Sequence, residues 1–141
     1  MTDPTRVAAA TAAAAIAAGE MHSTELVEAC LARIAALDWT LKAFVTVCRD
    51  QALAEAQRAD RERAAGRIRG PLHGIPIGIK DITLTAGIRT TFGSRIYESH
   101  VPDEDDACVA KLRDAGAIII GKTNTPEFAF GALCTNAIQG P

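Results

Sequence analysis

The pattern of apolar and polar positions changes character near residue 66. Before that point apolar residues recur every three or four positions in an alanine-rich background, which predicts helices. Every glycine except Gly19 lies at or after Gly66, so the second part should carry strands and tight turns. The sequence therefore predicts one domain in two parts, a mainly helical part over 1–65 and a strand and helix segment over 66–141.

Three helices and a strand are predicted in the first part. The first helix covers 5–18 and ends at Gly19, and the second covers 24–37 behind Ser23 as its N-cap. A short apolar run at 44–47 predicts a strand, and a third helix follows over 50–65. The charged face of that third helix is interpreted as a solvated surface with i,i+4 ion pairs. The second helix has one apolar stripe, formed by Leu26, Val27, Cys30, Leu31, Ile34 and Leu37.

The second part alternates strands with helices. Apolar alternation over 75–81 predicts a strand, and the run at 117–120 is typical of a strand buried on both faces. A helix over 104–115 is predicted, with an acidic start formed by Asp103, Glu104, Asp105 and Asp106. A short helix should begin at Thr125, as N-cap, and Pro126. The predicted fold class is α/β, with N-terminal helices followed by part of a mixed β-sheet covered by helices.

Composition and charge exclude several classes of protein. The chain has 141 residues, 48% hydrophobic and 23% charged, a formal net charge of −2 and a pI of about 5.9. These values are those of a globular domain without the basic bias of a direct nucleic-acid binder. No apolar window reaches the length of a membrane span, and the alanine-rich start is interpreted as a helix, not a signal peptide. The cysteines show no zinc or CxxC spacing, which favours reduced thiols in the cytoplasm.

One segment imitates a nucleotide-binding motif. Residues 116–123 fit the P-loop pattern GxxxxGKT. A P-loop needs a flexible loop over its four variable positions, whereas here those positions are the predicted buried strand. Since strand amides already pair within a sheet, they cannot cradle phosphates, and we reject nucleotide binding at this site.

Lys80 is the residue in the second part with the clearest chemical potential. It ends the predicted strand over 75–81 and precedes Asp81. Sites in open α/β sheets form at the carboxyl ends of strands. A lysine held in apolar surroundings loses hydration of its charge, and a neutral lysine can act as a general base. A lysine that reaches solvent beside Asp81 is the alternative.

An ordered series of motifs resembles the amidase signature family, the Ser–cis-Ser–Lys hydrolases. The resemblance covers essentially the whole chain, as the N-terminal part of a single amidase domain. Its matching stretches are Ser23-Thr24-Glu25-Leu26-Val27, Pro71-Leu72-His73-Gly74-Ile75-Pro76-Ile77-Gly78-Ile79-Lys80-Asp81, Thr90-Thr91-Phe92-Gly93-Ser94, the helix from Asp106 to Gly116, Ala117-Ile118-Ile119-Ile120-Gly121-Lys122-Thr123-Asn124, Pro126-Glu127-Phe128-Ala129 and Thr135-Asn136.

The resemblance implies hydrolysis of a small-molecule amide without metal or cofactor. It makes Lys80 the terminal base, which exchanges protons through a serine in a cis peptide bond with a nucleophilic serine. Backbone N–H groups of a glycine- and serine-rich loop would form the oxyanion hole. Asp81 and Asn124 would organise local hydrogen bonds. The turn of Ala129, Phe130 and Gly131 corresponds to a segment that lines the acyl pocket, although each aromatic could equally be core packing.

The chain departs from this family because the segment that carries both serines is missing. It would follow the Asn-x-x-x-Gly-Pro stretch at 136–141, and Ser23, Ser94 and Ser99 do not lie in such a context. We therefore expect the 141 residues alone to be inactive.

Other interpretations stay open. The parent protein could be a free-standing amidase, the A subunit of a glutamyl-tRNA(Gln) amidotransferase, or a truncated remnant or split module. A homodimer, or partner subunits in the amidotransferase case, are the open partner hypotheses. A Glu127–Lys80–Cys134 set like that of nitrilases fits in residue types but not in order. His73 and His100 are interpreted as surface or turn histidines.

Overall fold

The structure is a computed structural model that describes residues 3–140. Met1 and Thr2 of the N-terminal segment, and Pro141 at the end of the predicted Gly-Pro match, lie outside this range. Short 3-10 turns cover Pro4–Arg6, Arg95–Tyr97 and Glu127–Ala129. The helices are α1 (Ala9–Ala18), α2 (Ser23–Leu41), α3 (Arg49–Ala64) and α4 (Ala107–Asp114), and the strands are β1 (Phe44–Val47), β2 (Pro76–Lys80) and β3 (Ile118–Thr123).

The strands form one mixed sheet with β3 in the centre. The strand order is β1-β3-β2, with β1 antiparallel and β2 parallel to β3. The parallel pair β2–β3 is connected through α4, as expected for parallel strands, which need a crossover. The predicted α/β class with a mixed sheet and covering helices is confirmed.

Strand β3 is buried on both faces, as its continuous apolar run predicts. Ile118 and Ile120 pack with Val27 and Leu31 of α2 and with the alanines of α3. Ile119 lies in a different cluster, which contains the buried Ile79 of β2, Ile88 and Val109 of α4. The small alanines of α3 allow this helix to approach the sheet closely, since an apolar core excludes voids. They are Ala52, Ala56 and Ala59.

A register shift interrupts the pairing of β2 with β3. Ile77 pairs with Ile119, but the next residue of β2, Gly78, pairs with Gly121, so Ile120 is the extra residue of a bulge. The following pair is Ile79 with Lys122. The bulge therefore moves Lys122 to the face of the sheet that carries Ile79, instead of the face that regular alternation from Ile118 would give it.

The start of α2 differs from the prediction. Ser23 is the first residue of the helix, its side chain makes no cap bond, and its buried hydroxyl has no partner among the described residues. Asp60 of α3 caps the helix instead, because its carboxylate accepts the Ser23 N–H at 2.7 Å and the Thr24 N–H at 3.1 Å. The charged face of α3 is thus partly used in packing, not fully solvated.

Other element ends also move from their predicted positions. Helix α1 begins at Ala9, four residues after the predicted start, and ends as predicted at Gly19, which has a left-handed φ of 78°. Helix α4 begins at Ala107, because Asp105 and Asp106 bind the backbone N–H groups of Ala86 and Leu84. Thr125 is not an N-cap, since the 3-10 turn that follows has no side-chain cap bond.

Asp60 should contribute to stability through its cap of α2. Burial acts to raise the pKa of Asp60, but bonds from the Thr24 hydroxyl and the Thr24 and Ser23 N–H groups lower it overall. We expect Asp60→Asn to reduce the free energy of unfolding by about 1 to 2 kcal/mol, because both carboxylate oxygens accept bonds and an amide offers only one acceptor oxygen. The loss should be complete above pH 3.8, the ordinary pKa of an aspartate, and shrink as the pH falls through the lower folded pKa. Urea denaturation from pH 2 to 7, with exposed Asp103→Asn as the control, measures it.

Candidate functional site

Lys80 ends β2 at the carboxyl edge of the sheet, and its side chain is exposed. This corrects the expectation of apolar surroundings, at least within residues 3–140. Its backbone is held firmly, because its carbonyl oxygen accepts the Thr83 N–H at 3.0 Å and the next N–H, of Asp81, donates to the Thr123 carbonyl at 2.9 Å. The site therefore presents a lysine amine from a fixed position on the strand end.

Asp81 is fully buried and joins the strand end to the returning loop. Its carboxylate accepts the Thr91 N–H at 3.1 Å and the Thr91 hydroxyl. Its backbone carbonyl accepts the Phe92 N–H at 2.9 Å. A buried carboxylate needs such donors, because an unpaired charge in the interior is costly. Asp81 thus ties both ends of the 81–92 loop together.

The buried lysine of this region is Lys122, which the sequence analysis included in the rejected P-loop match and in the family resemblance without giving it a role. Lys122 is 0% exposed and is the largest of the fully buried side chains. Its ammonium donates to the Thr83 carbonyl, to the Thr85 hydroxyl at 2.8 Å and to the Thr90 hydroxyl at 2.9 Å. Three acceptors match the three N–H groups of a protonated lysine.

The two hydroxyls around Lys122 are oriented as acceptors by their own donor bonds. The Thr85 hydroxyl donates to the Thr83 carbonyl at 3.1 Å, and the Thr90 hydroxyl donates to the Ile88 carbonyl at 3.0 Å. Burial lowers the pKa of Lys122 from 10.5 to about 8, although the nearby Asp81 carboxylate acts to raise it. More weakly, Cys48, Asp106 and Asp105 also act to raise it.

Asn124 follows β3 and connects the sheet to the C-terminal segment. Its Nδ2 donates to the Lys42 carbonyl at 3.0 Å, and its Oδ1 accepts the Thr125 N–H at 2.9 Å. Asn136 donates to the same Oδ1 at 2.6 Å and to the Thr125 carbonyl at 2.6 Å. These bonds lie at the same edge of the sheet as Lys80, which pairs with Thr123.

The predicted pocket turn of Ala129, Phe130 and Gly131 is an open surface. Phe130 is 96% exposed, so core packing within this chain does not explain it. Ala129 has a left-handed φ of 58°, as has the preceding Phe128 at 49°. Such angles are uncommon for residues with a side chain and cluster at functional sites. The role of the turn in substrate binding stays a prediction.

An aromatic cluster supports this turn. Phe128 stacks on Phe92 with ring centroids 6.3 Å apart, and its N–H donates to the Phe92 carbonyl at 2.7 Å. Phe92 also contacts Tyr97 edge to face at 4.9 Å. Phe92 follows Thr91, and both residues donate hydrogen bonds to Asp81, so Asp81 fixes the position of Phe92 in the cluster. The turn and the Lys80 strand end are therefore joined by a series of contacts through Phe92, Thr91 and Asp81.

Several sequence candidates are not brought together. Cys134 and Glu127 are exposed, and within residues 3–140 no hydrogen bond joins their side chains to Lys80. Residues 118–123, including Lys122, are a strand, which agrees with the rejection of a P-loop. The same described residues contain no group of three or more His, Cys, Asp or Glu side chains that could hold a metal ion.

The histidines and serines have mainly structural surroundings. His73 lies in a turn as predicted, but it is buried, and its ring bridges the Arg69 N–H and the Ala59 carbonyl. His100 stacks against Phe92 in the aromatic cluster. Ser94 is buried and accepts the Ile96 N–H.

Comparison with known proteins identifies the family. A match to the amidase family covers residues 25–141. This match covers most of the chain and shows that the chain belongs to the amidase family.

The similar proteins are much longer than this chain. The A subunit of a glutamyl-tRNA(Gln) amidotransferase from Geobacter sp. (strain M21) is 51% identical over 88% of this chain and 25% of its own length. The corresponding subunit from Streptomyces coelicolor is 44% identical over the whole chain and 28% of its own length. The chain thus spans about a quarter of the length of these relatives.

Solved structures share the fold over the same portion. The native peptide amidase from Stenotrophomonas maltophilia superposes with a TM-score of 0.87 at 43% identity, over 96% of this chain and 29% of that protein. A fatty acid amide hydrolase superposes with a TM-score of 0.91 at 25% identity, over 99% and 25%. Among the described residues, no helix has the length and apolar character needed to cross a membrane.

The effects on stability of substituting Asp81 and Thr91 should be coupled, because the two side chains share a hydrogen bond. We expect Asp81→Ala to cost about 3 kcal/mol of unfolding free energy, because Thr91 then loses a charged acceptor. Thr91→Val should cost about 1 to 2 kcal/mol. The double variant should lose less than the sum, by about 1 kcal/mol or more. Urea denaturation measures the cycle, with exposed Thr40→Val as the control, and strict additivity would contradict it.

The titration of Lys122 should make stability rise with pH. The folded pKa of about 8 lies below the ordinary 10.5, so the unfolded chain binds more protons between these values. Relative to Lys122→Met, the chain should gain on the order of 3 kcal/mol between pH 8 and 10.5, and nothing below pH 8. Burial raises the pKa of Cys30 and of Cys48. The Cys30 contribution is common to both proteins, but Lys122 itself acts to lower the pKa of Cys48, so both proteins are compared in a Cys48→Ala background. A pH-independent difference would show that Lys122 is not desolvated.

Proposed function

We propose that this chain is the lysine-bearing part of an enzyme that hydrolyses carboxamide C–N bonds by a Ser–cis-Ser–Lys mechanism. The observation that carries the proposal is the position of Lys80, an exposed amine on a rigid strand end, in a chain that belongs to the amidase family. Both serines would lie in a segment outside the 141 residues.

In this mechanism Lys80 moves protons and does not bond to the substrate. Its neutral amine would accept the proton that passes from the nucleophilic serine through the second serine. The nucleophile would then attack the amide carbonyl, and the same proton would return to the leaving nitrogen as the C–N bond breaks. Water would hydrolyse the resulting ester. A protein segment that covers Lys80 would withdraw the water that stabilises its ammonium form.

The surface around Lys80 supports this use. Asp81 and Asn124 would act as positioning residues, since each organises backbone groups at the carboxyl edge of the sheet. The turn of Ala129, Phe130 and Gly131 would line the acyl pocket. Its exposed aromatic ring supports an apolar contact for substrate. No metal or cofactor enters the proposed reaction.

A second candidate function is release of ammonia from glutamine within an amidotransferase. It is favoured by the A-subunit relatives at 51% and 44% identity. The same lysine and serines would act, but in a complex with partner subunits. A requirement for those subunits and ATP would separate this function from that of a free-standing amidase, whose small-molecule substrate is hydrolysed without them.

The 141 residues alone should lack amidase activity. Exposed apolar side chains near the site would then dock the serine-bearing part of the domain, in the same chain or as a split module. A non-catalytic remnant is the remaining alternative. The side chains concerned are Ile96, Phe128, Phe130 and Leu133.

Complementation tests the proposal. The chain would be co-expressed with the portion of the Geobacter relative that follows the matched region, and ammonia release measured from glutamine and simple carboxamides. We expect activity only in the complemented protein, with a loss of about 10²- to 10⁴-fold in Lys80→Ala. Exposed Lys111→Ala is the control. Activity that survives Lys80→Ala would overturn the role of Lys80, and hydrolysis by the 141 residues alone would overturn the missing-serine hypothesis.

A further inference from the structure

We infer that Lys122 is a positioning residue for Lys80, a role that rests on the amidase function proposed above. Its buried ammonium donates hydrogen bonds to both the outgoing leg of the 81–92 loop (residues 83–85) and its returning leg (residues 90–92). These bonds fix the end of β2 that carries Lys80. The lysine of the rejected P-loop match thus holds a loop and does not bind phosphate.

The outgoing leg of the loop links the two lysines through one residue. The Thr83 N–H donates to the carbonyl of Lys80 at 3.0 Å, and the Thr83 carbonyl accepts from the Lys122 ammonium. Thr85, two residues further, accepts a second N–H of the same ammonium at 2.8 Å. A movement of Thr83 would therefore disturb the hydrogen bond between the Thr83 N–H and the Lys80 carbonyl.

The returning leg is held in the same way. Thr90 accepts the third N–H of Lys122 at 2.9 Å, and its neighbour Thr91 binds the Asp81 carboxylate. Asp81 directly follows Lys80. The two buried charges of this region, Lys122 and Asp81, are thus bridged through adjacent threonines instead of a direct ion pair.

The geometry excludes a direct catalytic role for Lys122. It pairs with Ile79 in the sheet and shares that residue's face, whereas Lys80 pairs with Thr123 on the alternate face. Its three N–H groups already have protein acceptors, and it is 0% exposed. Lys122 can act on the reaction only by holding the loop.

Nuclear magnetic resonance of the 141-residue chain tests the clamp without activity. In Lys122→Met, the amide resonances of residues 80–85 and 90–92 should shift, and so should the Lys80 Cε resonance at a fixed pH. Exposed Lys111→Met should change neither. Unchanged amide resonances of residues 80–85 together with an unchanged Lys80 Cε resonance in a folded Lys122→Met would overturn the inference. If Lys122→Met does not fold, the pair Thr90→Ser and Thr90→Val decides, because only valine removes the acceptor.

Kinetics of the complemented enzyme test the catalytic consequence. A misplaced base lowers kcat on the order of 100-fold with little change in KM, and we expect this of Thr90→Val and Lys122→Met. Thr90→Ser should retain kcat. Equal kcat in the serine and valine variants would overturn the inference. If the complemented wild-type enzyme has no activity, the proposed function fails, and the resonance of Lys80 still decides whether Lys122 positions it.

Discussion

Burial of a lysine in the central strand is the constraint on which this half of the structure depends. Lys122 is 0% exposed, and an ammonium in the interior is tolerated only where oxygen atoms replace its water. The loop after β2 supplies those atoms from Thr83, Thr85 and Thr90. The loop cannot take another path without leaving a buried charge unpaired. The energetic demand of one side chain in β3 therefore determines the conformation of the segment that follows Lys80.

The fold was largely predictable because hydrophobic periodicity reports burial directly. The apolar run at 117–120 predicted the central strand, and the stripe on α2 predicted most of the face that packs against it, although Leu37 is 43% exposed. The bulge at Ile120 was not predictable from alternation, because it depends on how β2 and β3 pair. The N-cap of α2 was missed for a similar reason. The cap is Asp60, which comes from another helix, and Ser23 satisfied the local rule without making the bond.

The site residues also differ in whether the neighbouring sequence identifies them or only the tertiary structure does. Lys80 was identifiable from its place at a strand end and from the family motif around it. Asp81 was identifiable as its neighbour. Lys122 was visible only as one residue of the P-loop-like and family-like stretch over 116–124, since nothing local shows that Thr83, Thr85 and Thr90 converge on it. A usable signal did exist: a lysine inside a buried strand requires acceptors, and threonines are unusually dense over 83–91.

The contrast between the two lysines explains how a chain that spans about a quarter of its relatives' length can hold the Lys80 strand end in place. Lys122 has three acceptors for its ammonium within residues 3–140, so its hydrogen bonds to the loop are complete in this part of the protein. The Lys80 side chain is exposed, and its backbone is held by hydrogen bonds. Phe130 is also exposed to solvent. Preorganisation lowers the entropy that a later docking step must overcome. A segment that carries the serines would therefore dock on a strand end whose backbone is already held by hydrogen bonds. It would need to cover Lys80 but not to fix the position of its backbone.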